Sequence, residues 1–246
     1  MQKTLFRSFF IFIICAFFTV PAFAGYGSKL CRKNGYQCVR VKRNQTWENL
    51  FPDAKNRDIV RRINRTNMRL RAGMVIAVPK NLMNTSHMYF SPMPQRIEPV
   101  GRRLVLINMR VHAFGAYDSD GFLVHWGPVS GGKGWCPDVG RRCTTPRGQF
   151  FVARKQGRGC ISTRFPVGEG GAPMPYCMFF YRGFAMHGSF LPGYHASHGC
   201  VRLFNEDARW LNQEFVRAGK NGTKVIIQGV LENMPFYSVS GTLVAG

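Results

Sequence analysis

The most informative part of this sequence is a short run preceded by a second one, Ser197-His198-Gly199-Cys200-Val201-Arg202-Leu203 after His187-Gly188-Ser189. Alternate side chains of an extended segment share one face, so we expect His198, Cys200 and Arg202 to point the same way. Such an electropositive face favours the thiolate form of a cysteine. His187 lies on a separate segment, from which it can approach the sulfur as a general base. The pattern therefore predicts that Cys200 is a nucleophile.

The surrounding sequence predicts short strands and one helix. Apolar stretches separated by turn residues predict strands at 104–108, 111–117, 122–129, 150–153 and 225–228. An amphipathic helix is predicted over 205–218, with Asn205 as its N-cap and Gly219 beyond its end. Many strands with one prominent helix predict a mainly β fold, as a β-sandwich or a partly closed barrel.

The N-terminal part of the chain predicts a smaller unit over residues 36–80. A strand near Cys38 precedes a helix with Thr46 as its N-cap, a second helix carries apolar residues at helical spacing, and a strand ends at Pro79. This order predicts a small βααβ domain. Residues 81–99 contain three prolines and few aliphatic side chains, so we expect a linker there. Residues 230–246 form a C-terminal tail without a clear signal.

Residues 1–24 have the pattern of a secretory signal peptide. Lys3 and Arg7 precede an unbroken apolar run over 9–18, and an Ala-Phe-Ala cleavage site ends at Ala24. The run is much shorter than the roughly 20 residues that cross a bilayer. We therefore expect export to the periplasm or cell wall of a bacterium.

The cysteines support an oxidised protein with one free thiol. The chain has eight cysteines, and loss of Cys15 with the signal peptide leaves an odd number. Proximity in sequence favours the pairs 31–38, 136–143 and 160–177, which leaves Cys200 unpaired. Six cysteines allow 15 pairings, so proximity selects only the simplest of them.

The chain is strongly basic, with a formal net charge of +22. Such a surface favours an anionic partner. Export argues against nucleic acid, so we expect peripheral association with anionic cell-wall polymer or a membrane surface.

The C-terminal half, over about 102–228, resembles the catalytic domain of the L,D-transpeptidases (YkuD type). The landmarks that carry the resemblance follow one another in the family's order: Arg103-Leu104-Val105-Leu106-Ile107, Asp120-Gly121-Phe122-Leu123-Val124, Pro128-Val129-Ser130-Gly131-Gly132, Thr145-Pro146-Arg147-Gly148-Gln149-Phe150, Ala185-Met186-His187-Gly188 and the Ser197–Leu203 run. The loop between the last two is shorter than is usual in the family. The resemblance implies a catalytic domain over 100–229 with a YkuD-like β-sandwich fold.

Residues 36–80 resemble a LysM carbohydrate-binding module. The matching residues are Thr46-Trp47-Glu48-Asn49-Leu50, Arg62-Ile63-Asn64 and Leu70-Arg71-Ala72-Gly73-Met74-Val75-Ile76-Ala77-Val78-Pro79. The resemblance implies binding of peptidoglycan glycan strands. A spacer that keeps the fold without binding glycan is the alternative.

The L,D-transpeptidase resemblance implies a reaction and the residues that perform it. Cys200 would form a thioester with a tetrapeptide stem of peptidoglycan, releasing D-Ala, and transfer the stem to an amine to cross-link the wall. His187 would be the general base and acid, with His198 as a third catalytic residue. The further residues assigned to support of the substrate or the oxyanion are Gly188, Ser189, Ser197, Gly199, Arg202 and Tyr176.

The resemblance also implies a physical role for these residues. His198 and Arg202 would support the site and the carboxylates of the substrate. A backbone carbonyl near Gly188, or Ser189, would orient the base, because the motif contains no acidic residue. The amides of Gly199 and Cys200 would donate to an oxyanion. Met174-Pro175-Tyr176 resembles the segment that lines the family's substrate channel, although packing in an aromatic strand explains Tyr176 equally well.

Several alternatives stay open. Water as the acceptor would give an L,D-carboxypeptidase, and a protein acceptor would give attachment of that protein to peptidoglycan. A non-catalytic wall-binding protein is the rival from another class. The thioester chemistry requires no cofactor and no metal. Zinc binding by His187, His195, His198 and Cys200 is a further alternative, although their spacing matches no common zinc pattern. The sequence does not decide the oligomeric state.

Overall fold

The computed structural model describes residues 25–83, 85–164, 171–228, 236–237 and 243–244. The predicted signal peptide, residues 1–24, lies outside the described residues, as does most of the predicted tail over 230–246. In that tail, β14 (Phe236–Tyr237) and β15 (Leu243–Val244) form an antiparallel pair. Across the described ranges, every helix is too short or too polar to cross a membrane.

The N-terminal module has the predicted βααβ order, preceded by helix α1 (Tyr26–Leu30). Strands β1 (Tyr36–Arg40) and β2 (Val75–Pro79) are antiparallel and flank helices α2 (Trp47–Leu50) and α3 (Ala54–Ile63). The Thr46 side chain caps α2, as its sequence predicts, because its hydroxyl accepts from the Asn49 amide at 3.3 Å. The apolar faces enclose a small core formed by Val41, Trp47, Val60, Leu70, Ile76 and Val78.

The segment predicted as a linker packs against the C-terminal domain. It contains a 3-10 helix over His87–Phe90, and the side chains of Met93 and Ile97 are buried. The Ile97 amide donates to the Gly121 carbonyl at 2.9 Å. These contacts attach residues 87–97 to the C-terminal domain.

The C-terminal domain is mainly β, as predicted. Nine strands form one sheet in the order β8-β13-β3-β4-β5-β12-β11-β10-β9. Their bounds are β3 (Leu104–Asn108), β4 (Ala113–Tyr117), β5 (Leu123–Ser130), β8 (Gly148–Phe151), β9 (Arg154–Lys155), β10 (Met178–Tyr181), β11 (Phe184–Gly188), β12 (Val201–Leu203) and β13 (Lys224–Gln228). The pairs β11–β12 and β13–β3 are parallel, and the others are antiparallel.

The sheet curls so that its two ends approach each other. The ring of Phe150 in β8 lies 5.4 Å from that of Phe180 in β10, although these strands stand near opposite ends of the strand order. Both rings pack with the main apolar core, which also contains Phe114, Met186 and Leu203. The curled sheet thereby closes around its own apolar side chains.

The predicted helix after the nucleophile motif is shorter than expected. Helix α4 spans Asn205–Trp210, and a π-helical turn over Leu211–Phe215 follows it. Phe204, and not Asn205, occupies the N-cap position, and no side chain caps this end. The Phe204 side chain is fully buried at this end, so apolar packing and not a polar cap fixes the start of the helix.

Three disulfides join the cysteines in the pairs that sequence proximity favours: Cys31–Cys38, Cys136–Cys143 and Cys160–Cys177. The second one closes a hairpin of β6 (Gly134–Cys136) and β7 (Arg141–Cys143), with a 3-10 turn over Pro137–Val139 between them. Within the described residues Cys200 is the one cysteine outside a disulfide.

Candidate active site

His187 lies on β11, beside the strand that begins directly after Cys200. The parallel register pairs His187 with Arg202 and Met186 with Val201. Paired residues of neighbouring strands project to the same face of a sheet, which brings the imidazole and the guanidinium together. As a result of this placement, the Arg202 charge lowers the pKa of both His187 and Cys200.

The His187 ring is buried and oriented by the backbone. Its Nδ1 lies 3.0 Å from the Gly188 carbonyl oxygen, which only accepts hydrogen bonds, so Nδ1 carries the hydrogen and Nε2 has a free lone pair. Burial, together with the Arg202 charge, lowers the pKa of His187 to about 4. At neutral pH this imidazole is uncharged, in the tautomer that can accept a proton at Nε2.

Of the two orienting partners expected from sequence, the structure places the Gly188 carbonyl on His187. Ser189 makes other contacts: its amide donates to the Leu203 carbonyl at 2.8 Å. Gly188 packs closely against the following helix, since a Cβ there would lie 2.3 Å from the Asn205 side-chain oxygen. A side chain at this position would have to displace the Asn205 side chain.

The Cys200 thiol is partly buried, and its pKa is raised above the ordinary value. Burial is the main cause, and it outweighs a backbone hydrogen bond from Ala185 and the Arg202 charge, which both favour the thiolate. The expectation of a resting thiolate is therefore wrong. Burial of the sulfur disfavours the thiolate more strongly than the charge of Arg202 favours it, so the resting pair is a neutral thiol and a neutral imidazole.

The nucleophile segment turns sharply before its strand begins. Gly199 has a φ of +126°, and strand β12 starts only at Val201. A Cβ at residue 199 would lie 2.5 Å from the Phe184 ring, so glycine is required. The expectation that His198 shares one extended face with Cys200 and Arg202 is wrong, because this turn separates His198 from the other two.

Ser197 organises this turn. Its buried hydroxyl accepts from the Gly199 amide at 3.0 Å and donates to the Cys200 carbonyl at 2.5 Å. The Gly199 amide is thus engaged inside the turn, and its expected role as an oxyanion donor stays a prediction. The Cys200 amide is left as the candidate donor of that pair.

His198 contacts the disulfide hairpin. Its Nε2 lies 2.5 Å from a carboxylate oxygen of Asp138, and one of its ring nitrogens lies within 4.8 Å of the sulfurs of Cys136 and Cys143. The His198 hydrogen bond is the main reason why the pKa of Asp138 is lowered. Sequence reasoning missed Asp138, which lies 60 positions from His198. The signal available was its place in a short loop between two cysteines predicted to pair.

Tyr176 lies next to the base strand. The neighbouring Pro175 carbonyl accepts from the Gly188 amide at 2.8 Å, so the two segments run side by side. Tyr176 has a left-handed backbone with φ 59°, and its half-buried ring packs against the main core. The structure brings Tyr176 close to the His187 segment and also gives its ring the packing role that was the alternative.

His195, which the zinc alternative included, holds loops together. Its Nδ1 accepts from the Gly131 amide at 3.0 Å, and its Nε2 lies 3.0 Å from the Met109 carbonyl. Both ring nitrogens are therefore engaged by backbone groups.

Comparison with known proteins places this geometry in one family. The family described as YkuD, the L,D-transpeptidase catalytic domain, matches residues 102–227, which is more than half of the chain. No curated protein sequence matches the chain. The solved L,D-transpeptidase of Xylanimonas cellulosilytica (residues 123–326) is 28% identical, with a TM-score of 0.50 over 70% of this chain and 78% of that one.

Two mycobacterial structures are more distant. An L,D-transpeptidase from Mycobacterium smegmatis is 22% identical, with a TM-score of 0.41 over 52% of this chain and 59% of that chain. L,D-transpeptidase 3 from Mycobacterium tuberculosis, solved with a faropenem-derived adduct, is also 22% identical, with a TM-score of 0.40 over 52% and 60%. This chain spans about three fifths of these two proteins.

Proposed function

The chain belongs to the YkuD family of L,D-transpeptidases, and from this premise we propose that it cross-links peptidoglycan through a thioester on Cys200. The observation that carries the proposal is the buried, uncharged His187, held by the Gly188 carbonyl on the strand paired with the one that follows Cys200. A neutral imidazole with its Nε2 free is the form that a general base needs.

The first half of the reaction forms the thioester. Cys200 Sγ bonds to the carbonyl carbon of the L-centre of diaminopimelate in a tetrapeptide stem, while His187 Nε2 takes the thiol proton. The Cys200 amide donates to the developing oxyanion. The C–N bond to the terminal D-Ala then breaks, and His187 returns the proton to the leaving amine.

The second half transfers the stem. The side-chain amine of a second stem attacks the thioester carbonyl and its proton passes to His187. The C–S bond then breaks, and His187 gives that proton to the sulfur, so Cys200 leaves as a thiol. Arg202 is half-buried beside the reacting groups, and its charge suits the carboxylates of the substrate. Ser197 and Gly199 shape the turn that carries the nucleophile, and His198 with Asp138 supports that turn from outside.

The chain's other features fit an exported wall enzyme. Three disulfides are typical of proteins that leave the cytoplasm, which supports location in the periplasm or cell wall. The N-terminal module would bind peptidoglycan glycan strands, and the net charge of +22 would favour anionic wall or membrane surfaces. Retention of a Cys200→Ala variant on purified cell walls would test binding apart from chemistry.

Incubation with purified muropeptides, read by mass, tests the reaction itself. Cross-linking predicts products that gain one stem and lose Ala, whereas an L,D-carboxypeptidase would give loss of Ala alone. Attachment of a protein would require that protein in the mixture. Cys200→Ala should remove every product without lowering the melting temperature. Full product formation by that variant, or no product from the wild type, would overturn the proposal and favour a non-catalytic wall-binding protein.

A further inference from the structure

The loop that joins the His187 strand to the Cys200 turn is held by the N-terminal module. Asn67, just beyond helix α3, makes three hydrogen bonds to this loop. Its side-chain amide donates to the Ser189 carbonyl at 3.3 Å, its side-chain oxygen accepts from the Leu191 amide at 2.7 Å, and its own amide donates to the Leu191 carbonyl at 3.3 Å. The backbone of the loop is therefore hydrogen-bonded to a residue of the N-terminal module.

Two further backbone contacts hold the same loop. Thr66 forms an isolated antiparallel bridge with Pro192, and the Tyr26 amide donates to the Gly193 carbonyl at 3.2 Å. The side chain of Leu191 is fully buried. Backbone groups of a surface loop usually bond to water, whereas several backbone groups of this loop bond to the N-terminal part of the chain.

The same module also holds helix α4, which follows the strand after Cys200. Arg62 in α3 donates to both carboxylate oxygens of Asp207 at 2.9 Å and to the Trp126 carbonyl at 3.2 Å. Asp207 lies in α4, directly after strand β12, and both charged side chains are buried. The charge of Arg62 holds the pKa of Asp207 below its ordinary value despite its burial.

We propose that the N-terminal module is a structural part of the active site, with Asn67 as the positioning residue for His187. Strand β11, which carries His187, continues into the loop that Asn67 holds. Strand β12, which follows Cys200, continues into helix α4, which Arg62 holds. An asparagine suits the first place because its amide offers a donor and an acceptor together. This inference rests on the proposed function for its catalytic consequence.

The physical reason for a catalytic effect is the short connection. Ser189 follows Gly188 directly, and the Gly188 carbonyl orients His187. Release of the Ser189 carbonyl allows the end of β11 to shift. A shift of about 1 Å between reacting groups can lower a rate by about 100-fold.

Three variants of the full chain test the inference. Asn67→Ala removes both side-chain bonds, and Asn67→Asp keeps the acceptor for the Leu191 amide but loses the donor to Ser189. Asn81→Ala is the control, because Asn81 is exposed just after β2 and its side chain makes no hydrogen bond within the described residues. Hydrogen exchange of peptides covering 189–195 reports the loop, and the rate of D-Ala release from a tetrapeptide muropeptide reports catalysis.

For Asn67→Ala we expect at least tenfold faster exchange in the loop and about tenfold lower kcat, with KM changed less than twofold. Asn67→Asp should fall between this variant and the wild type, and Asn81→Ala should match the wild type in both readouts. Unchanged exchange, or faster exchange with unchanged kcat, would overturn the inference. If the wild type releases no D-Ala, the proposed function fails, and exchange alone then decides whether Asn67 holds the loop.

Discussion

Lowering the pH of the acylation reaction from about 7 to about 5 tests the state of His187. Burial and the Arg202 charge lower its pKa to about 4, whereas a solvated imidazole has a pKa near 6.5. A general base works in its unprotonated form, so the rate should rise with pH through this pKa and stay level above it.

The two values predict different rates at the lower pH. With a pKa of about 4, roughly nine tenths of His187 is neutral at pH 5, so the rate should stay at about 90% of its value at pH 7. With the pKa of a solvated histidine, about 3% would be neutral, and the rate would fall to about 4%. The difference is about 20-fold, well beyond the error of a rate measurement.

The assay is kcat/KM for D-Ala release from a tetrapeptide muropeptide, since this parameter reports the free enzyme. Return of a sample to pH 7 must restore the full rate, which excludes unfolding during the measurement. His187→Ala should lower the rate by orders of magnitude at every pH. A fall to a few per cent at pH 5 in intact enzyme would refute the buried, neutral base.

Further predictions concern two arginines. Arg202→Ala removes a charge that lowers the pKa of both Cys200 and His187, so iodoacetamide should alkylate Cys200 more slowly at pH 8 than in the wild type. Arg96→Ala, which loses only a stacking contact on Phe122, should leave that rate unchanged, and equal rates in all three proteins would contradict the assignment. Arg62→Met leaves the Asp207 carboxylate buried without its arginine, which should cost about 3–5 kcal/mol of unfolding free energy and lower Tm by about 6–20 °C. Arg57→Ala breaks a long contact to the exposed Glu48 and two hydrogen bonds to the Phe51 and Pro52 carbonyls, and should cost at most about 2 kcal/mol; a similar small loss for Arg62→Met would refute the buried pair.

Local sequence patterns predict five of the nine strands of the main sheet, namely β3, β4, β5, β8 and β13, but not β9 to β12, which include the strand of His187 and the strand that follows Cys200. The strand at 104–108 matches β3 because a continuous apolar run between turns has few other stable forms. The Thr46 cap and the three disulfide pairs also involve residues close in sequence, where spacing restricts the geometry.

Contacts between distant residues limit the prediction of the site. The extended form expected for the Cys200 motif ignores the Phe184 ring, which leaves room only for a glycine turn at residue 199. The thiolate expectation weighs the nearby charges but not the burial that raises the Cys200 pKa. The bond between Arg62 and Asp207 joins residues 145 positions apart, so no local spacing reveals it.

The most direct test of the account is the mass of the intact protein after mixing with a tetrapeptide muropeptide whose diaminopimelate side-chain amine is acetylated, so that no amine acceptor is present. The account predicts an added mass equal to the donor without its terminal Ala, located on Cys200 by peptide mapping and removed by hydroxylamine. An adduct on another residue, or native protein in which Cys200 is already joined to a second cysteine, would contradict it.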